Sequence, residues 1–231
     1  MKKQFKNFAI ITIALCFSCT SSDDTPIGTG GGESIQATYK ITFISNFTSE
    51  LHPTDYPSGA VFIRPILVTH SSATSIFSLG SLASAGIELY AEEGNSSGVF
   101  SEHTQSQDNV NPTTIIQASI DVTSIDIKEY TITFTPDKTM FSFITRISPS
   151  PDWFLGVDSF SILNPDNSLI ESKSFKLYAI DAGSILGDTY MANGGDESSA
   201  IVERTGLPLS IVANQTGNFL GTLNIEKIIS N

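Results

Sequence analysis

Ser148-Pro149-Ser150-Pro151-Asp152-Trp153-Phe154-Leu155-Gly156-Val157-Asp158-Ser159 holds two prolines, an aspartate, the chain's only tryptophan, a glycine and a second aspartate. Proline fixes φ and removes an N–H donor, so this segment must leave a strand and turn at a defined angle. A carboxylate on a stiff loop beside a large aromatic side chain suits a hard cation, which makes Asp152 a candidate ligand. Asp158 is the weaker candidate, because a strand is expected to begin near it. Trp153 has two readings. It could stack on a sugar or a partner. More often a tryptophan in such a place plugs the core beneath its loop, and that reading is preferred.

Around this turn the chain reads as strands. Thr38 to Phe47 alternates, with Tyr39, Ile41 and Phe43 on one face and Lys40 and Thr42 on the other. That is the pattern of a half-buried strand. Further strand-like runs are Val61–Val68, Thr114–Val122, Tyr130–Thr135, Met140–Ile147, Phe160–Leu163, Ile170–Ile180, Ala200–Thr205 and Thr222–Ile229. Turn signals such as Pro136-Asp137-Lys138 and Asn164-Pro165-Asp166-Asn167 separate them. One short helix is expected from about Leu82 to Glu93, ending at Gly94. Many short strands with little helix predict an all-β fold, an antiparallel β-sandwich.

The N-terminus is of another kind. Lys2, Lys3 and Lys6 precede a short apolar stretch, Phe8 to Phe17, too short to span a bilayer comfortably. The segment ends in Leu15-Cys16-Phe17-Ser18-Cys19. A small residue just before a cysteine at this place resembles the lipobox of bacterial lipoproteins, which implies that residues 1–18 are a signal peptide and that Cys19 is lipidated. The alternative is an ordinary signal peptide cleaved nearby. Residues 19–34 read as a flexible tether, with Asp23-Asp24 and the glycine run Gly28 to Gly32. The acidic pair resembles a lipoprotein surface-export signal. Residues 35–231 form the expected domain.

Cys16 and Cys19 are the only cysteines. Loss of one and acylation of the other would leave a domain without disulfides, resting on its core alone. Losing the three leader lysines from 12 basic residues leaves 9 against 24 acidic ones, a net charge of −15. Such a surface repels phosphate backbones, so nucleic acid is excluded as a partner class.

Several blocks, in order, resemble the spondin N-terminal domain family. They are Tyr39-Lys40-Ile41-Thr42-Phe43, His52-Pro53-Thr54-Asp55-Tyr56-Pro57, His70, Leu79-Gly80, Ala83-Ser84-Ala85-Gly86 with Ala91-Glu92-Glu93-Gly94, the Pro-Asp-Trp segment, and Asp181-Ala182-Gly183-Ser184. The resemblance implies a sandwich similar to calcium- and lipid-binding sandwich domains, with one calcium at its end. The implied ligands fall on Asp152 and Asp181. A third family carboxylate falls on Ile185, which cannot coordinate through its side chain; Asp188, three residues on, is the candidate replacement. Asp152 and Asp181 could instead simply cap turns.

Other chemistries find little footing. His52, His70 and His103 are widely spaced, without an HExxH pair, and structural hydrogen bonds suit the first two better than zinc. His103 lies in a polar stretch read as a solvated loop. Gly94-Asn95-Ser96-Ser97-Gly98 matches G-x-S-x-G, but the nucleophile elbow needs a strand before the serine and a helix after it. Here a helix is expected before it and a polar loop after it, so the chain is not expected to be an enzyme. The resemblance implies a calcium-dependent adhesion or ligand-binding module, held to the outer membrane or cell surface by its lipid anchor, with a protein or glycan ligand. The alternatives are an accessory component of an envelope complex and, last, a hydrolase.

Overall fold

A computed structural model describes residues 36–104, 113–123, 125–190, 194–204, 208–209 and 219–228. The chain divides into Met1–Glu33 and Ser34–Asn231, and every described residue belongs to the second unit. The signal, tether and Cys19 readings lie outside the described residues.

The fold is an antiparallel β-sandwich. Its strands are β1 (Ala37–Ser45), β2 (Val61–His70), β3 (Thr113–Gln117), β4 (Val122–Thr123), β5 (Ile127–Phe134), β6 (Met140–Ser148), β7 (Trp153–Ser161), β8 (Ser172–Leu177), β9 (Ala179–Asp181), β10 (Val202–Glu203) and β11 (Gly221–Lys227). One sheet runs β5-β1-β11-β8. The larger runs β10-β9-β7-β6-β2-β3, with β4 also paired to β2. Between them lies an apolar core that includes Tyr39, Ile41, Phe43, Phe62, Phe143, Trp153 and Leu223. Edge-to-face ring pairs run through it, such as Phe43–Phe62 at 5.3 Å between centroids.

The larger sheet is covered on its other face too. Two helices, α1 (Ala85–Glu93) and α2 (Ser97–Thr104), contribute Ile87, Tyr90, Ala91 and Val99 to a second core, against Ile66, Val68, Ile144, Phe154 and Ile180. A strand buried on both faces has no reason to alternate. This explains why neither β2, expected as a strand, nor β7, expected to start later, alternates. β2 reads as an apolar run, broken by a register shift between Ile63 and Ile66, where Arg64-Pro65 sit and no ladder donor is needed from the proline. β7 begins at Trp153 rather than Phe160, because Trp153, Phe154 and Leu155 are all buried and show no polar face.

Two further expectations are corrected. The run Ile170–Ile180 is two strands in different sheets, β8 on β11 and β9 on β7, with the chain crossing between sheets at Tyr178. Among the described residues there are two short helices rather than one, and α2 occupies part of the stretch read as polar loop. Ser84 caps α1 by accepting from the Ile87 N–H at 3.3 Å. The Glu102 carboxylate, reaching over from α2, accepts from Ser84 Oγ at 2.7 Å and Gly86 N at 2.6 Å.

Candidate functional site

The turn between β6 and β7 is built by short polar contacts. Ser150 Oγ donates to the Ile147 carbonyl and accepts from Trp153 N at 3.1 Å. Arg146 on β6 donates from Nε to Ala91 O and from Nη2 to Glu92 O, each at 2.7 Å, and from Nη2 to Ser150 O at 3.1 Å. One guanidinium thus satisfies the last carbonyls of α1 and ties that helix end to the Pro-Asp-Trp turn.

Asp152 is fully buried. Its Oδ2 accepts from Ser184 N at 2.8 Å, Ile185 N at 3.0 Å and Ser184 Oγ at 3.2 Å. Its Oδ1 meets no donor among the described residues. Burial pushes the carboxyl above the usual carboxylate range and the nearby Asp181 charge pushes the same way, while the Ile185 and Ser184 donors oppose them. Asp152 therefore joins β7 to the loop after β9, a capping role that the sequence also allowed.

Asp181 stands at the end of β9, opposite Trp153 on β7 and Val202 on β10. Its Oδ1 accepts from Gly183 N at 2.9 Å. Gly183 has φ +72°, and a Cβ there would meet the Ser199 carbonyl at 2.4 Å, which is why the turn after Asp181 takes glycine. Asp181 Oδ2 receives Arg204 Nη1 at 2.6 Å, and Asp188 Oδ1 receives Arg204 Nη2 at 3.0 Å. The guanidinium carbon lies 4.3 Å from the Trp153 ring centroid. The backbone holds Arg204 in place, because its N–H donates to Ala179 O at 2.8 Å beside the β9–β10 pair.

The structure thus brings Asp181 and Asp188 together, and does so through Arg204. Asp152 lies behind the same loop, and its hydrogen-bonded oxygen faces the backbone of Ser184 and Ile185. Calcium takes six to eight oxygens. Here Ile185 offers no side-chain oxygen, two of the three carboxylates hold an arginine, and among the described residues no three His, Cys, Asp or Glu side chains cluster to hold a metal. This donor set does not fit a calcium ion. Sequence reasoning missed Arg204, which lay inside a run read only as strand. The available signal was its rarity, as one of three arginines in an acidic chain.

Trp153 is wholly buried and packs edge-on to Tyr190 at 5.4 Å, so it plugs the core. Asp158 lies within β7, at a bulge where Asp158 and Ser159 together face Ser142. Its Oδ1 accepts from Ile76 N at 2.8 Å and Ser142 Oγ at 2.9 Å, and its Oδ2 from Ser75 Oγ and Ser159 Oγ, each at 2.7 Å. His70 is buried, with Nε2 2.8 Å from Ser142 Oγ and Nδ1 2.8 Å from the Ser71 carbonyl.

His52 packs against Phe47, and burial lowers its pKa. The Phe219, Leu209 and Asn46 carbonyls partly oppose that shift without meeting hydrogen-bond geometry. His103 is in the last turn of α2 rather than a solvated loop, with its imidazole 13% exposed and its pKa lowered by that burial. Among the described residues the three histidines do not form a metal-holding cluster, and the one pair whose charges act on each other is His70 and His103.

Nor is Gly94–Gly98 a nucleophile elbow, because it links two helices. Gly94 is the C-cap of α1, and a Cβ on Gly98 would meet Gly86 Cα at 2.6 Å where the helices cross. Ser96 Oγ donates to Gln117 Oε1 at 3.0 Å rather than meeting a histidine.

A shallow cleft of about 350 Å³ opens beside these elements, lined by Phe77, Leu79, Gly156, Asp158, Ile180 and Glu203. Along its edge, residues 80–82 pair with residues 200–201 through Gly80 N to Ile201 O and Ile201 N to Ser81 O, each at 2.8 Å. Leu79, Leu82 and Val202 on this edge are each at least half exposed.

The sequence profile of the spondin N-terminal domain family (Spondin_N) matches residues 37–205. Spondin-1 of Homo sapiens is 29% identical over 163 residues, which covers 67% of this chain and 20% of Spondin-1. Spondin-2 of Homo sapiens is 30% identical over 174 residues, which covers 69% of this chain and 51% of Spondin-2. The chain therefore spans about a fifth of one relative and half of the other. The matched residues run from β1 past β10 and include the Asp152 turn, the Asp181 turn and Arg204, so the chain belongs to the spondin N-terminal domain family.

Proposed function

We propose that this protein is a non-enzymatic adhesion or ligand-binding module at the cell surface, lipid-anchored through Cys19, and that it engages a protein or glycan partner. The observation that carries the reading is the cleft, whose lining joins the more than half-exposed Leu79 to Phe77 and Ile180. An apolar-lined concave site open to solvent is what a partner would cover. The family membership and the leader-like N-terminus support an extracytoplasmic setting. Among the described residues no helix is long and apolar enough to cross a membrane, and the anchor proposed here is the acylated cysteine.

The test is a binding screen of the full chain against glycans and matrix proteins, run in calcium and in chelator. A Leu79→Asp variant should lose a captured partner while keeping the wild-type melting point. Retained binding in that variant would move the site elsewhere. Labelling with a radioactive fatty acid should mark the wild-type chain and spare Cys19→Ala; equal labelling would remove the anchor from the proposal.

A further inference from the structure

We infer that the guanidinium of Arg204 is the built-in cation of this end of the sandwich, ordering the loop after β9 against the start of β7 without calcium. Three observations converge on it. Arg204 bonds both Asp181 and Asp188, two of the carboxylates that the family resemblance and the chain's spacing assign to a metal. It also donates to the Gly187 carbonyl at 3.3 Å, so it gathers a backbone oxygen from the same loop. Its guanidinium carbon lies over Trp153, 4.3 Å from the ring centroid, which fixes where the charge sits.

Oxygens drawn from side chains and a carbonyl around one positive centre are what a bound calcium also gathers. A guanidinium does this with directed donors and needs only a few oxygens. The position left by the missing family carboxylate agrees. Ile185 offers no side-chain charge, and its backbone N–H serves Asp152 at 3.0 Å. A calcium ion bonded to Asp181 would also lie beside a guanidinium already 2.6 Å from that carboxylate, and like charges at that range repel strongly. Arg204 is a positioning residue in this reading, and the positions it holds are those of the Asp181 turn and the Gly187–Asp188 segment.

The experiment compares melting of the full chain in about 10 mM calcium and in EDTA, since weak extracellular sites bind at about 1 mM. A site of that strength would raise the melting point by roughly 3–6 °C. The wild-type melts should coincide. A wild-type melt raised by calcium and lowered by EDTA overturns the inference. Arg204→Met should melt below wild type in EDTA, and adding Ile185→Asp to it should create a calcium-raised melt. Equal melts of Arg204→Met and wild type in EDTA also overturn the inference, because the guanidinium would then order nothing. If Arg204→Met does not fold, Arg204→Lys takes its place. It retains the charge without the fork, so it should melt slightly below wild type and ignore calcium, and a calcium-raised melt for it counts against the inference.

Discussion

Asp152 precedes β7 and Asp158 lies within it, yet the protein answers the two carboxylates in different ways. Around Asp158 every hydrogen-bond partner among the described residues is a neutral donor: the Ser75, Ser142 and Ser159 hydroxyls and the Ile76 and Phe77 N–H groups. Near Asp152 stands the Asp181 charge, and Arg204 from beyond β10 takes up Asp181 and Asp188. Asp152 itself is left with one oxygen bonded three times and the other facing no described donor. A single partly buried charge can be settled by dipoles that the neighbouring backbone supplies. A second carboxylate, Asp181, beside a buried one calls for an opposite charge, and only a distant segment brings it.

The largest effect should come from Asp152→Ala. It leaves the Ser184 and Ile185 N–H groups without their acceptor in a buried place, at a cost of about 2–4 kcal/mol read by chemical denaturation. The same residue sets a pH test. Its folded pKa is raised above 3.8, so the native state holds the proton more tightly than the unfolded chain. Stability from this group is present below that value and is lost as pH rises through the raised pKa. Asp152→Asn keeps one acceptor oxygen and removes the titration. Its stability relative to wild type should therefore improve as pH rises from about 4 and level off once pH exceeds the raised folded pKa. A constant difference across that range would show that Asp152 titrates alike in both states.

Arg204→Met comes next. It breaks an ion pair whose two side chains, Arg204 and Asp181, are 14% and 13% exposed, and about 2 kcal/mol is expected. Asp158→Asn should cost less, about 1–2 kcal/mol, because the neutral amide weakens hydrogen bonds that a carboxylate strengthens. A larger loss at Asp158 than at Arg204 would reverse the contrast between the two ends of β7. The smallest effect belongs to Asp188→Ala. That side chain is 94% exposed, and water screens its pair with Arg204, so the denaturation midpoint should not move measurably.

Much of the sandwich was legible in the chain because half-burial leaves a period-two record. β1 is the clear case, with Tyr39, Ile41 and Phe43 facing the core as their alternation predicted. The turns at Pro136–Lys138 and Asn164–Asn167 were legible for the same kind of reason, since their residues suit the required backbone locally. β7 was not, because the helices cover its second face and erase the alternation at Trp153–Leu155. The split of Ile170–Ile180 was hidden too, as one apolar-containing run serves two sheets. α2 escaped notice because its sequence, Ser97 to Thr104, is short and polar and is held by the Gly86–Gly98 crossing and the Glu102 cap.

By itself the sequence determined the family, the strand-rich class, the stiff turn before Trp153 and the aspartates that gather near it. These follow from side-chain periodicity, from proline and glycine geometry and from ordered motifs, all properties of neighbouring residues. Only the tertiary structure decided what those aspartates bind. The β9–β10 ladder folds Arg204 back over Trp153 and onto Asp181, and the same fold turns Asp158 into a bulge. Charge pairing depends on distance in space, and that distance is set only when the two sheets and the loops between them have packed.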